Sequence, residues 1–162
     1  MGFGIDEIGE QYIMIQFVPI LQTIEENGQF ADNPVCKDVL SATIDYYKVI
    51  GFNKPWIGYF VLLHDQLVGS AGYKGKPIGN KIEIAYGTNT KFQHQGIGTQ
   101  ICHELVRLAL ASNPQLDVMA RTLPDNLYSI SVLKRNGFAL SGIVHDKDDG
   151  DVLEWRYPGN NT

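Results

Sequence analysis

The chain has 162 residues, 44% of them hydrophobic and 19% charged. That is an ordinary soluble composition, long enough for one domain over 1–162 with a proper core. The formal net charge of −5 argues against general nucleic-acid binding, which needs a basic face to neutralise phosphates. Two cysteines far apart, Cys36 and Cys102, form no CxxC pattern and read as small buried apolar residues rather than a metal or disulfide framework.

The N-terminal MGFGIDEIGE is acidic and lacks the basic and apolar regions of a signal peptide. The longest apolar run, WIGYFVLL from Trp56 to Leu63, is too short to span a bilayer. A cytoplasmic protein without membrane attachment is expected.

In chain order, residues 16–26 and 34–48 read as helices. Asn33 and Pro34 supply an N-cap and first-turn proline for the second, with an apolar side including Val35, Val39, Leu40, Ile44, Tyr46 and Tyr47. Residues 56–64 and 67–74 read as a hairpin turning at His64-Asp65-Gln66. Residues 81–88, KIEIAYGT, alternate polar and apolar as a strand does.

Residues 95–111 form the clearest helix, with Ile97, Ile101, Leu105 and Leu108 on one stripe and Asn113-Pro114 at its end. A strand follows at 116–122. A helix capped by Asp125 or Asn126 runs to Asn136, with Gly137 just beyond. Strands at 138–145 and 151–157 close the chain around an acidic turn. This order of elements predicts a mixed sheet with helices on both faces.

The stretch QHQGIGTQ, Gln93 to Gln100, places two glycines where a strand gives way to a helix. A helix start offers unpaired N–H groups and the positive end of the macrodipole. Glycines there let a phosphate approach the backbone, so strand–Gly-x-Gly–helix suits a pyrophosphate. A plain strand-to-helix turn explains the glycines equally well. The Rossmann fingerprint fails because Ile101 stands where its third glycine belongs, and no P-loop lysine follows.

A second stretch, NLYSISVLKRNGF from Asn126 to Phe138, follows the strand at 116–122. Together the two resemble the GNAT superfamily of acyl-CoA-dependent N-acetyltransferases. Gln93-x-x-Gly96-x-Gly98 is similar to its Gln/Arg-x-x-Gly-x-Gly/Ala signature. The Asn126, Ser129, Gly137-Phe138 spacing resembles the RimJ/RimL-type branch. The resemblance is strongest over residues 80–140. It implies an α/β fold of the mixed α+β kind, with a central mixed, mostly antiparallel sheet and helices on both faces.

It also implies acetyl-CoA as cosubstrate and no metal. The pyrophosphate would lie on the backbone of Gln93, His94, Gln95, Gly96, Ile97, Gly98 and Thr99. The pantetheine arm would run along Tyr86, Gly87 and Thr88, with the N–H near Thr88 facing the oxyanion. Asn126 would reach the pantetheine, and Lys134 with Arg135 the 3′-phosphate. The acceptor is an amine of unspecified identity, from a protein N-terminus to a small molecule, attacking directly in a ternary complex. Dimers are common in the superfamily and leave room for a homodimer here.

The attacking amine must be neutral, although free amines have pKa values of about 8 to 10. A general base is therefore useful. Glu83, at the start of the strand lining the cofactor, is the first candidate; a surface carboxylate near Lys81 is the competing reading. Glu154 is a second candidate. Ser129 is the expected contact of the leaving sulfur, with Tyr128 pointing elsewhere on the helix. Leu133 stands where many members carry a tyrosine acid. That departure keeps a non-catalytic acyl-CoA-binding module as the alternative.

The turn HDKDDGD, His145 to Asp151, does not fit an EF-hand. It reads as a solvated turn able to draw cationic amines toward the site. Tyr46, Tyr47, Trp56, Tyr59 and Phe60 read as core, with some of them able to line an acceptor site.

Overall fold

The computed structural model describes residues 14–159. The reading of residues 1–10 therefore lies outside the described residues. One seven-stranded sheet carries the fold, in the order β1-β2-β3-β4-β5-β7-β6. Its strands are β1 (Ile15–Pro19), β2 (Gly58–Leu63), β3 (Gln66–Tyr73), β4 (Lys81–Thr88), β5 (Asp117–Thr122), β6 (Ala139–Asp146) and β7 (Gly150–Arg156). The helices are α1 (Gly28–Ala31), α2 (Lys37–Ile50), α3 (Ile97–Ser112) and α4 (Leu127–Arg135). Every strand pair is antiparallel except β4 with β5.

Each face of the sheet has its own core. β2 is buried from Gly58 to Leu62 and its residues alternate between the two. Phe60 and Leu62 point to a smaller cluster with Ile20, Leu40 and Ile44, under α2. Tyr59 and Val61 point to the larger cluster with Ile101, Leu105 and Leu133, under α3 and α4. Ile97, Ile101 and Leu105, three members of the predicted α3 stripe, are buried to 1% exposure or less. Truncating Ile101 to Ala would cost about 2–5 kcal/mol.

The N-terminal part corrects the sequence reading. Residues 16–26 do not form a helix: Ile15–Pro19 is an edge strand, and a short 3-10 turn at Glu25–Asn27 follows. Pairing with β2, from Ile15↔Leu63 to Pro19↔Tyr59, overrides the local helical pattern. Proline lacks an N–H and is tolerated at an edge strand.

The helix read as 34–48 begins at Lys37, with Cys36 as its cap residue. The Asn33 side chain instead accepts the Val35 N–H at 2.9 Å and fixes the turn before the helix. Only Leu40, Ile44 and Tyr47 of α2 are buried; Val35 is 67% exposed.

Asn126 caps α4 as predicted, its Oδ1 accepting the Ser129 N–H at 3.1 Å. At the other end Gly137 N–H donates to Lys134 O and Phe138 N–H to Leu133 O, each at 3.0 Å. That is the paired closure of a helix by a left-handed residue. The hairpin β2–β3 turns on His64 and Asp65, both at positive φ.

Candidate active site

β4 and β5 pair from Lys81↔Asp117 to Ile84↔Ala120, and no further. β4 continues to Thr88, still paired with β3 as far as Gly69↔Thr88. The sheet therefore opens on the β5 side of Ala85–Thr88.

Hydrogen-bond parity gives the direction of the freed groups. Lys74 N–H donates to Glu83 O at 2.9 Å, and Asn89 N–H to Val68 O at 2.8 Å. Both bonds join directly opposed residues of the β3–β4 register. Alternation then makes Ala71↔Tyr86 and Gly69↔Thr88 the non-hydrogen-bonded pairs. The backbone N–H and C=O of Tyr86 and Thr88 thus point toward the opening. The Thr88 C=O is met there by Gln93 Nε2 at 3.2 Å. Tyr86 N–H, Tyr86 C=O and Thr88 N–H face the gap with no strand opposite.

The gap leads into the start of α3. Gly96 is the cap residue at φ +83°, a left-handed conformation that glycine adopts without penalty. The first helical bond runs from Gln100 N–H to Gly96 O, so the N–H groups of Ile97, Gly98 and Thr99 lack intrahelical acceptors. Thr99 Oγ1 is buried and, among the described residues, has no hydrogen-bond partner. Gln95 Nε2 bonds Lys91 O at 3.1 Å, and the His94 ring meets Tyr128 edge-on at 5.4 Å between centroids.

Two pockets meet at the opening. A cavity of about 220 Å³ lies between β4, β5 and α4, lined by Tyr86, Thr122, Asn126, Ser129 and Leu133, with Asp146 and Asp149 at the β6–β7 turn. A groove of about 440 Å³ lies on the α2 side, lined by Thr43, Tyr46, Tyr47, Ser70 and Gly87 among others. Both are lined by Lys74, Ala85 and Tyr86. Lys74 is the one Lys, Arg, Asp or Glu in the lining of the larger groove.

Glu83 lines neither pocket, but shares the sheet face of Ala85 and Gly87. Its carboxylate pairs with Lys74 Nζ at 3.2 Å and is 18% exposed. Glu154 is engaged by Arg121 at 3.4 Å and Arg156 at 3.5 Å, and receives the Ser141 hydroxyl at 3.2 Å. That charge network suits a structural carboxylate.

The structure gathers Tyr86, Asn126 and Ser129 at one cavity; none of Gln93–Thr99 lines it, and Gly98 packs beside Thr88 and Tyr128. It does not gather Lys134, whose Nζ lies 6.0 Å from the centre of the Trp155 ring. Tyr128 faces the end of β4, through Thr88 Oγ1, and the α3 start, beside Gly98; Asn136 faces α3, donating to Thr99 O. Lys134, two residues from Asn136, lies about 200° around the helix from it. Arg135 is seven residues from Tyr128 and returns to within about 20° of its direction.

Sequence reasoning missed Lys74 and Tyr128. The β3–β4 register, which sets Lys74 beside Glu83, was the only signal for the first. Tyr128 donates from its hydroxyl to Thr88 Oγ1 at 3.0 Å. Burial pushes the Tyr86 phenol far above its ordinary range, with Cys102 and Tyr128 adding to the effect. Tyr86 therefore stays protonated and donates to Ser129 O at 3.3 Å. Burial likewise pushes the Cys102 thiol up to about 12, leaving it an inert core group.

Mostly antiparallel strands around one parallel, half-opened pair, with a glycine-led helix at the opening, define an acyl-CoA-dependent acetyltransferase architecture. The acetyltransferase (GNAT) domain family matches residues 26–139, and the chain belongs to that family.

Solved structures agree on the fold. RimL, a ribosomal L7/L12 alpha-N-protein acetyltransferase in complex with coenzyme A, superposes with TM-score 0.61 at 17% identity, over 88% of this chain and 92% of that one. The ribosomal-protein-S5-alanine acetyltransferase from Vibrio fischeri gives 0.63 at 12% identity, over 91% and 93%. The microcin C7 self immunity acetyltransferase MccE, in complex with acetyl-CoA and AMP, gives 0.61 at 16%, over 82% and 81%. Comparison with curated protein sequences finds no match.

No group of three His, Cys, Asp or Glu able to hold a metal occurs among the described residues. No helix among them is long and apolar enough to cross a membrane.

Proposed function

We propose that this chain transfers an acetyl group from acetyl-CoA to a primary amine by direct attack within a ternary complex. The observation that carries the reading is the opened edge of β4. Three backbone groups of Tyr86 and Thr88 face a gap that ends on the free N–H groups of Ile97, Gly98 and Thr99. The gap accommodates an extended arm with amides, and the helix start accommodates its pyrophosphate. The orphaned Thr99 hydroxyl in that first turn agrees with an anion nearby. Acetyl-CoA would supply the activated thioester.

The chain's own groups then divide the work. Backbone N–H groups of Ile97, Gly98 and Thr99 bind the pyrophosphate. Asn126 spends its Oδ1 on capping α4, which leaves Nδ2 to meet the pantetheine. Arg135, on the Tyr128 side of α4, is better directed at the 3′-phosphate than Lys134. Thr88 N–H stabilises the developing oxyanion.

The acceptor enters through the groove beside α2, where Ala85 and Tyr86 separate it from the smaller cavity. Glu83, on that side of β4, takes the amine proton directly or through water, with Lys74 holding its carboxylate in place. The Ser129 hydroxyl faces the departing sulfur. A thiol with pKa near 8.5 leaves with little acid assistance, so Leu133 in place of a hydroxyl does not stop the reaction.

Thermal unfolding with acetyl-CoA, against ATP and NAD as controls, tests the cosubstrate. At 100 times Kd the native state gains about 2.7 kcal/mol. No shift at millimolar acetyl-CoA would sink the reading. A shift without thiol release from any amine in a panel of peptides, amino acids and polyamines would favour the non-catalytic binding module, which the buried Leu133 keeps in play.

A further inference from the structure

Beyond Ile84 no β4–β5 hydrogen bond holds the open end of β4 against the other half of the molecule. Two tyrosines do so instead, and they run in opposite directions. Tyr86 on β4 donates to the Ser129 carbonyl on α4 at 3.3 Å. Tyr128 on α4 donates to Thr88 Oγ1 on β4 at 3.0 Å. The donors and acceptors are neighbours on α4 and alternate residues of one face on β4. The bonds therefore brace the two walls of the smaller cavity against each other.

Gly98 belongs to the same device. A Cβ there would overlap the Tyr128 hydroxyl and stand 3.1 Å from Thr88 Oγ1. The second glycine of the Gly-x-Gly pair is required by a side chain of this protein before any ligand arrives.

We propose that Tyr86 and Tyr128 form a reciprocal clamp that sets the width of the pantetheine slot, and that Gly98 exists to admit the Tyr128 hydroxyl. The inference rests on the acetyl-CoA reading above. Neither tyrosine touches the reacting atoms; both are positioning residues. Because Tyr128 touches the α3 start and the β4 edge at once, it couples the phosphate cradle to the pantetheine strand. Its loss weakens cofactor binding without touching the acceptor groove.

The test is a calorimetric titration of coenzyme A into the wild-type protein, Tyr86→Phe, Tyr128→Phe and the double variant, with initial rates and unliganded melting curves beside it. Each phenylalanine removes one hydroxyl and should weaken coenzyme A about 3- to 10-fold. The double variant should be less than additive, because the two bonds share one pair of walls. For Tyr128→Phe, whose side chain does not line the acceptor groove, KM for acetyl-CoA should rise with KM for the acceptor unchanged. The unliganded melting temperature should fall by no more than about 4 °C.

Gly98→Ala should weaken coenzyme A severely. In a Tyr128→Leu background, where nothing occupies the hydroxyl position and only the 3.1 Å approach to Thr88 Oγ1 remains, the same change should cost far less.

Three results overturn the clamp: phenylalanine variants that bind as the wild type does, affinity losses that merely track melting temperature, or an undiminished Gly98→Ala penalty in the Tyr128→Leu background. The last would mean that the ligand itself demands the glycine. Failure of the wild-type protein to bind coenzyme A would instead sink the acetyl-CoA reading, and the clamp with it.

Discussion

Ile84 and Ala120 form the last β-pair between β4 and β5. The backbone edge proposed to hold the cosubstrate lies just past them, where β4 continues without its parallel neighbour. Amides that no strand covers exchange readily with solvent. Hydrogen exchange at the Tyr86 and Thr88 amides should therefore be fast in the free protein and slow sharply with coenzyme A bound, while Ala85, Gly87 and Asn89, bonded to β3, stay protected in both. The peptide over β2, paired on both sides, should not respond. Equal protection with and without ligand would remove the β4 edge from the binding site.

The Lys74–Glu83 pair bears on catalysis. Glu83→Gln removes the proposed base while keeping the shape of the side chain, and should lower kcat by 10²-fold or more, on the order of general-base effects elsewhere. KM for acetyl-CoA should stay within about two-fold, since the residue faces away from the smaller cavity. Full activity in steady-state rates would return Glu83 to a plain strand carboxylate.

Asn126 and Ser129 separate a structural role from a chemical one. Asn126→Ala loses the cap bond to Ser129 N–H and should cost about 1 kcal/mol, a fall of roughly 2–4 °C in melting temperature. Ser129→Ala keeps its backbone N–H and so keeps the cap. Its effect should appear in kcat alone. A Ser129→Ala protein with unchanged kcat would disprove contact between its hydroxyl and the departing sulfur.

Arg135 and Lys134 make a matched pair. Arg135→Ala should raise KM for acetyl-CoA several-fold, by about the value of one charge-assisted hydrogen bond. It should lose that sensitivity when 3′-dephospho-CoA derivatives are used. Lys134→Ala should leave KM unchanged. The reverse pattern would show that Lys134 leaves the Trp155 ring to bind the phosphate.

The buried tyrosines set an alkaline limit. Burial raises the Tyr59 phenol to about 12, and pushes Tyr47, Tyr73 and Tyr86 higher. An unfolded tyrosine ionises near 10. The folded state therefore binds more protons above that pH, and stability falls as pH rises from about 10 through 12. It should be indifferent to these groups below about pH 9. Denaturant melts across that range, with tyrosinate absorbance as a second probe, should show unfolding and ionisation together. Ionisation of every tyrosine well before unfolding would refute the burial.

Local chemistry was legible in the sequence. The α3 stripe, the Asn126 cap, the turn at His64-Asp65 and the alternation along 81–88 each depend on residues within a turn or two of one another. Both diagnostic stretches were readable for the same reason, and they located the β4 edge, the α3 start and the first turn of α4. The misreading of 16–26 has the opposite cause. Its partner strand is forty or more residues away, and no local pattern announces a sheet edge.

Composition, periodicity and two short motifs thus determined the class of fold and singled out the stretch of backbone proposed here to carry a cosubstrate. They did so because helix stripes, caps and glycine-led helix starts are local consequences of side-chain size and hydrogen bonding. Tertiary structure alone decided which groups meet across the opening: Lys74 with Glu83, Tyr86 with Ser129, and Tyr128 with Thr88 through the space left by Gly98. Those meetings depend on register between strands and on the docking of α4 against β4, and sequence spacing carries neither.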